Sequence, residues 1–430
     1  VQRTISAGDL AGDLELRDLT DPSGGPHALQ LLIANAAGAL SALWSCPVRL
    51  RRGNRLVTVA ENYDDLGFLD GAVTRDARYT RYVDDTHMLR SHSTAMVPAA
   101  LAELAAEASL GVAPRDVLLV CPGLCYRRDS IDWQHTGTPH QVDLWRISRQ
   151  SLGEADLEDM IETLCGALVP GHPYRCERRV HPYTLAGRQI DVSWNGTWVE
   201  IAECGLAHPE LLRRRGLGEE WSGLALGMGL DRLLMLVKAI PDIRLLRAGD
   251  PRIRQQMTTL EPYHPTSAMP AVIRDLSIAV DDGDEAEDLG DRVRETLGAQ
   301  ADVVEEVAIV SSTAAEDLPA AARRRLGIAA GQQNLLVRVT LRALDRTLSD
   351  AEANDVRDRL YEALHGGTAH LWATAAARPR AVRSSSGSPA GGRGGEHADA
   401  RTRDGVARGA KHDDALQRGA QCRDGEQPAR

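Results

Sequence analysis

Between Gly223 and Arg232 the chain reads Gly-Leu-Ala-Leu-Gly-Met-Gly-Leu-Asp-Arg and continues into Leu233-Leu234-Met235-Leu236. No other stretch restricts the fold as strongly. Alternating small and apolar residues predict a strand that turns directly into a helix opening with an acid and an arginine. Glycine allows tight backbone packing and lets a flat ligand lie against the strand. An arginine at the start of the next helix can hold a phosphate or stack on a base. A plain strand-to-helix turn has the same look, so the rest of the chain has to supply the other half of a nucleotide site.

That other half is expected in Asp116 to Ile147. Val117-Leu118-Leu119-Val120 predicts a buried strand, and Leu124 to Asp129 leads into a charged loop through Asp132, Gln134 and His135. His140 to Trp145 returns as a second strand. Unpaired buried charges cost several kcal/mol, so this hairpin lies at the surface or wraps a polar ligand. Alternation sets Arg127, Asp129, Gln141 and Asp143 on one face, which favours the ligand. After a helix over 156–168 come strands over 188–194 and 197–204, the latter carrying Glu200 and Glu203. The elements predict an antiparallel sheet flanked by helices. A parallel dinucleotide fold, with crossover helices between strands, is excluded.

Before this region, residues 1–25 are polar and turn-rich with little to fix a fold. A helix begins at Pro26, with Leu29, Leu32, Ile33, Ala36, Leu40 and Leu43 at helical spacing, and two short strands follow. Leu89-Arg90-Ser91-His92-Ser93-Thr94 precedes a helix over 96–108. A chain of net charge −11 is no general nucleic-acid binder, so any RNA contact needs a local basic patch. Cys121 and Cys125 form the closest cysteine pair, and no further spacing completes a zinc site. No apolar run reaches ~18 residues and no signal-peptide profile opens the chain, which predicts a cytoplasmic protein without a membrane partner.

Five segments in order then point to one family. Arg127-Arg128-Asp129 with its loop and Gln141 resembles motif 2 of class II aminoacyl-tRNA synthetases, and Gly227 to Arg232 resembles motif 3. Leu89 to Thr94, Tyr126 to Asp143, Glu200 to Pro209 and Ile240 to Arg244 are similar to the catalytic subunit of phenylalanyl-tRNA synthetases. The resemblance implies an α+β class II core over 26–255 that joins an amino acid to ATP and passes it to tRNA. It implies Arg127, His135 and Arg232 as catalytic residues, and Arg127, Asp129, His135, Gly227, Gly229 and Arg232 as the ATP site. His92, Thr94, Gln141, Asp143, Leu224, Ala225 and Leu226 would line the amino-acid side, and Glu200 would hold Mg²⁺. Leu224 and Leu226 stand where the family has two phenylalanines, Glu203 where it has glycine, Asp143 for glutamate and Thr94 for serine. On that reading the substrate is phenylalanine or an aliphatic or modified relative.

Beyond Pro262 the order strand, helix, strand, strand, helix over 262–373 predicts a ferredoxin-like sandwich. Pro270 to Asp275, Asn334 to Arg342 and Arg346 to Asp350 resemble the anticodon-binding domain of the same family, in a single-chain, organellar-like arrangement working as a monomer or homodimer. Residues 374–430 are Arg, Gly, Ala and Ser with few large aliphatics, and are expected to be disordered. Two alternatives stay open at this level: a paralogue that adenylates another amino acid for a non-translational acceptor, and an inactive tRNA-binding module.

Overall fold

Strands and helices follow the hydrophobic pattern closely through the middle of the chain. The structure, a computed structural model, describes residues 4–266, 270–344 and 346–369. The first elements are α1 (Ala7–Glu15), α2 (Ala28–Trp44), β1 (Val48–Leu50), β2 (Leu56–Thr58), the single-turn α3 (Val59–Asn62), β3 (His87–Leu89) and α4 (Val97–Ser109). Next come β4 (Asp116–Leu124), β5 (His140–Ser148), α5 (Glu154–Leu168), β6 (Tyr174–Arg178), β7 (Thr184–Trp194) and β8 (Thr197–Ala207). Then follow α6 (Pro209–Arg214), β9 (Ser222–Gly229), α7 (Leu230–Lys238) and α8 (Pro251–Gln256).

Seven of these strands form one sheet in the order β1-β4-β5-β9-β8-β7-β6. Only the β1–β4 pairing is parallel; the rest is antiparallel. The sheet has two unlike faces. Against one, α2, α5 and α7 pack Leu32, Leu157 and Leu233 onto Val142, Leu144, Leu224, Leu226 and Met228. Against the other, α4 packs Leu101 and Leu104 beside Trp145, Ile147 and Ala225. Toward one end of that second face the hydrophobic cover stops and polar side chains take over. Helix α7 is fixed by burial of Leu230, Leu233 and Leu234, each worth about 1.5–3 kcal/mol. Asp231, in its first turn and favourable there to the helix dipole, accepts a bond from His140 Nδ1 at 2.8 Å. The helix ends at Ala239, whose φ of 53° is left-handed.

The N-terminal segment departs from expectation. Residues 4–25 contain α1, opened by a capping box between Ser6 and Asp9, and then a short 3₁₀ turn. Helix α1 buries none of its residues, so no periodicity announces it. Its place is set by bonds to backbone: Arg55 Nη1 donates to the carbonyls of Leu14 and Leu16 (3.0 and 2.6 Å), and Tyr126 Oη to that of Asp13 (2.9 Å). The carboxylate of Asp13 pairs with Arg81 at 2.7 Å.

Downstream lie β10 (Val272–Asp281), α9 (Ala286–Leu297), β11 (Val304–Ala314), α10 (Ala320–Leu326), β12 (Gln332–Leu341) and α11 (Asp350–Leu364). The three strands are antiparallel in the order β10-β12-β11, with Leu289, Val293, Val356 and Leu360 of the helices in one core with Ile278 and Val337. This core also takes in Ile131 of the β4–β5 loop, whose carbonyl accepts from the amide of Val307 at 2.8 Å. Arg128 and Asp291 form a buried ion pair at 2.5 Å beside it. The described residues all belong to one compact unit. The segment 374–430, expected to be disordered, lies outside the described residues.

Candidate active site

Alternation on the sheet selects which side chains reach the polar face. Asp143 of β5 is paired with Gly227 of β9, and Trp145 with Ala225, so these four share a face. Leu144 is paired with Leu226 and Arg146 with Leu224, on the other one. Leu224 and Leu226 are therefore not beside Asp143. They are 0% and 1% exposed in the core under the sheet, packed with Leu144 and the helices. Their assignment to the amino-acid pocket is overturned, and with it the argument that they redirect specificity. Ala225, the small residue between them, is the one facing Trp145.

Asp143 is 2% exposed and accepts three hydrogen bonds. Ser93 Oγ and Thr94 Oγ1 donate to Oδ2 at 2.5 and 3.2 Å, and Trp145 Nε1 to Oδ1 at 3.0 Å. All three donors are neutral, so burial dominates and the carboxyl is pushed up to about 6. A side chain at Gly227 would begin 3.9 Å from both Asp143 oxygens, and one at Gly229 would meet nothing within 4 Å. The strand is thus bare beside the carboxylate. Gln141 Oε1 accepts from the amide of Ser93 at 3.2 Å.

His92 stands at the wall of this space. Burial, then the charge of Arg127, holds its imidazole down to about 3, so it is neutral. Its Nδ1 is buried and has no hydrogen-bond partner. A buried polar atom without a partner is a cost that a bound ligand can remove. Phe68, Tyr63 and Tyr183 complete the aromatic surroundings: Phe68 lies 5.8 Å from His92 and 6.0 Å from Tyr183 between ring centroids, and Tyr183 stacks on Trp145 at 6.1 Å.

The cationic part of the site comes from separate elements. Arg127 leaves the end of the β4 hairpin arm, its Nε donating to the Ser91 carbonyl at 2.8 Å. His135, in the loop, donates from Nδ1 to Asp132 Oδ2 at 2.6 Å, which turns Nε2 toward Arg232 Nη2, 3.5 Å away. Burial opposes protonation of His135, but the bond to Asp132 and the charges of Asp129 and Asp132 outweigh it and raise its affinity for a proton. Arg232, in the first turn of α7, also donates from Nη1 to the Glu200 carbonyl at 3.4 Å. Asp129 is held above the usual carboxylate range by burial, against the charges of His135, Arg294 and Arg127. Two arginines and an imidazole converging on one cleft suit a polyphosphate.

A bulge in β8 brings two acids to this face. Ala202 pairs with Ile190 while Glu200 pairs with Asp191, leaving Ile201 as the extra residue. Ile201 and Ala202 both enter the core, and Glu200 and Glu203 both stay on the polar side. Glu200 is raised by burial and then by repulsion from Glu203, with Arg232 and Arg179 opposing. A carboxylate with surplus negative charge beside Arg232 fits a magnesium ion, which keeps several waters and takes one or two protein carboxylates together with phosphate oxygens. Among the described residues no three acid, histidine or cysteine side chains form a metal cage, as that mode of binding requires none.

The structure brings together Arg127, Asp129, His135, Gly227, Gly229, Arg232 and Glu200 on one side, and His92, Thr94, Gln141, Asp143 and Ala225 on the other. Sequence reading misses Ser93, Trp145, Tyr183 and Phe68. Trp145 was recoverable, since alternation puts it on the face of Asp143. The other three depend on loops whose path no periodicity reports.

A family model, tRNA synthetases class II core domain (F), matches residues 38–257. The phenylalanine--tRNA ligase alpha subunit of Nostoc punctiforme is 29% identical over 248 residues, covering 57% of this chain and 70% of its own. That of Prochlorococcus marinus strain MIT 9313 is 30% identical over 262 residues, 59% of this chain and 74% of its own. The probable mitochondrial phenylalanine--tRNA ligase of Drosophila melanogaster is 27% identical over 369 residues, 72% of this chain and 76% of its own.

Proposed function

The chain belongs to the class II aminoacyl-tRNA synthetase core family of phenylalanine--tRNA ligases, and from that premise we propose how its site forms and transfers an aminoacyl-adenylate. The observation that carries the reading is the convergence of Arg127, His135 and Arg232 on a glycine strand whose other flank holds Asp143.

In the first step a carboxylate oxygen of the amino acid attacks the α-phosphorus of ATP, and pyrophosphate leaves. Two anions must approach, so the protein's work is neutralisation and alignment; no protein nucleophile is needed. Arg127 neutralises the α-phosphate and Asp129 reads the adenine amino group. His135 and Arg232 hold the outer phosphates, and Arg232 also covers the adenine lying along Gly229. Glu200 would hold Mg²⁺, which supplies further charge neutralisation on the phosphates. His92, Thr94, Gln141 and Asp143 line the amino-acid side. In the second step a ribose hydroxyl of tRNA attacks the acyl carbon, AMP leaves, and the AMP phosphate accepts the hydroxyl proton.

With Leu224 and Leu226 removed from the pocket, the aromatic surroundings of Phe68, Tyr183 and Trp145 support phenylalanine as the amino acid. The unit 262–373 is assigned to anticodon binding. Matching 72% of this chain to the Drosophila protein, against 57% for the Nostoc alpha subunit, supports the single-chain arrangement. No helix of the described residues is long and apolar enough to cross a membrane, and the proposed compartment is the cytoplasm or an organelle matrix. The test is ATP–pyrophosphate exchange over a panel of amino acids, followed by tRNA charging. Exchange with phenylalanine and charging of its tRNA are expected; no exchange with any amino acid would overturn the reading.

A further inference from the structure

Across the sheet, Asp143, Gly227 and Glu203 are register partners on β5, β9 and β8, in one line on the polar face. Gly227 contributes no side chain, so an uncovered slot lies between two carboxyl groups about two strand spacings, ~9.6 Å, apart at the backbone. An ammonium seated over Gly227 has a carboxyl acceptor on either side to which it can donate.

The two acids are not equivalent. Asp143 is buried, takes its three bonds from neutral donors, and has no ion-pair partner among the described residues. Glu203 is partly exposed, 37% at the side chain, and receives one hydrogen bond, from His181 Nε2 to Oε2 at 3.0 Å. Its Oε1 is 3.8 Å from Arg179 Nε, outside hydrogen-bond reach, and remains able to accept. His181 is in turn fixed by Thr184 Oγ1, 3.1 Å from Nδ1, and by stacking on Tyr183 at 5.5 Å. Glu203 is thus held by a braced imidazole with one oxygen to spare, beside a slot with no side chain in it. Burial works against its charge, but the His181 bond and the charges of His181, Arg179 and Arg127 keep it ionised.

We propose that Glu203 is a substrate-binding residue, accepting a hydrogen bond from the α-ammonium of the amino acid across Gly227 from Asp143, with His181 as its positioning residue. The proposal rests on the ligase reading above. The ammonium then sits between one charged, braced acceptor and one buried acceptor. A ligand with the carboxylate alone gains nothing from Glu203.

The test uses the full chain and Glu203→Gln, which keeps shape and removes charge. In exchange assays with phenylalanine, KM for the amino acid should rise about tenfold to a hundredfold, the range for losing a hydrogen bond to a charged group, with KM for ATP within about twofold. Competitive inhibition by phenylalaninol, which keeps the ammonium, should weaken by the same factor. Inhibition by 3-phenylpropionate, which keeps only the carboxylate, should not change. Glu203→Asp should restore part of the phenylalaninol affinity. Equal weakening of both inhibitors, or of neither, in a variant that still exchanges would overturn the proposal. Absence of exchange in the wild-type chain with every amino acid would instead overturn the ligase reading itself.

Discussion

The two halves of the site, either side of the glycine strand, are built on opposite principles. The proposed phosphate half is a convergence of charges, with Arg127, His135 and Arg232 delivered by a hairpin end, a loop and a helix start. The proposed amino-acid half is a buried, mostly neutral enclosure, in which one carboxyl accepts from two hydroxyls and an indole. Charge in the phosphate half is held by opposite charge: burial raises Asp129 and Glu200, and the neighbouring arginines and His135 oppose it. In the closed half each charge is costly, and its position is correspondingly exact in hydrogen bonds. Such a division lets one end grip a substrate common to many enzymes while the other discriminates.

The sharpest break of the comparison is Arg232→Ala. Losing one preorganised donor at a developing charge costs about 10²–10³ in kcat. Exchange should fall by that factor while the thermal midpoint moves little, since Arg232 spans the cleft and belongs to neither core. Persistence of exchange near the wild-type rate would remove the phosphate half from this location.

Leu226→Ala probes the opposite surface of the same strand. Truncating a fully buried leucine costs about 2–5 kcal/mol, so a clear loss of stability is expected by chemical denaturation. The ratio of kcat/KM between phenylalanine and leucine should stay unchanged, because the side chain does not reach the pocket. A shift of that ratio beyond about threefold, without a matching change in exchange rate for ATP, would return Leu226 to the pocket wall.

Asp143 links stability to pH with a sign that separates the halves. Its carboxyl rises from 3.8 to about 6 on folding, so the unfolded chain holds the proton less tightly. The stabilising contribution is then fully present below about 3.8 and is lost as pH rises through about 6, a span worth ~3 kcal/mol at most. Activity should run the other way, since an ammonium needs the ionised form: kcat/KM for the amino acid should climb through about pH 6. Asp143→Asn should be as stable or more stable at pH 7, flatten the stability profile and bind the amino acid poorly. A variant less stable at pH 7 than the wild type would contradict the neutral-donor account.

How much of this was legible beforehand follows from what each residue depends on. Arg127, His135 and Arg232 are readable because their chemistry is carried by short motifs with fixed spacing. The strands β4, β5, β7, β8 and β9 around them are readable because alternation and turn residues mark each one, whereas their order in the sheet rests on pairing that no local pattern reports. Leu224 and Leu226 show the limit of transferring a position without its face: the same alternation that marks the strand assigns Ala225 and Gly227 to the ligand and the leucines to the core. Glu200 and Glu203 share a face only through the bulge at Ile201, and strict alternation would have separated them. Helix α1 is held by Arg55 and Tyr126, whose bonds to its backbone leave no pattern in its own residues.

The smallest expected effect tests how the phosphate half is steadied. Arg294 of α9 donates from Nη1 and Nη2 to the carbonyls of Asp129 and Ser130, at 2.6 and 2.9 Å. Helix α9 comes this close only because residue 290 is glycine; a Cβ there would sit 2.7 Å from the Asp129 carbonyl. The proposed phosphate half therefore borrows rigidity from α9 and the three-stranded sheet it packs on, whereas Asp143, Ser93, Thr94 and Trp145 all lie on or beside the seven-stranded sheet. Arg294→Ala frees two carbonyls and loosens the loop carrying Asp129 and His135, without touching Asp143. KM for ATP should rise severalfold, about 1 kcal/mol of lost positioning, with KM for the amino acid unchanged. Arg294→Lys, able to reach one carbonyl at a time, should fall between. If both Michaelis constants rise together, the two halves share their support, and the contrast between them ends at the surface of the cleft.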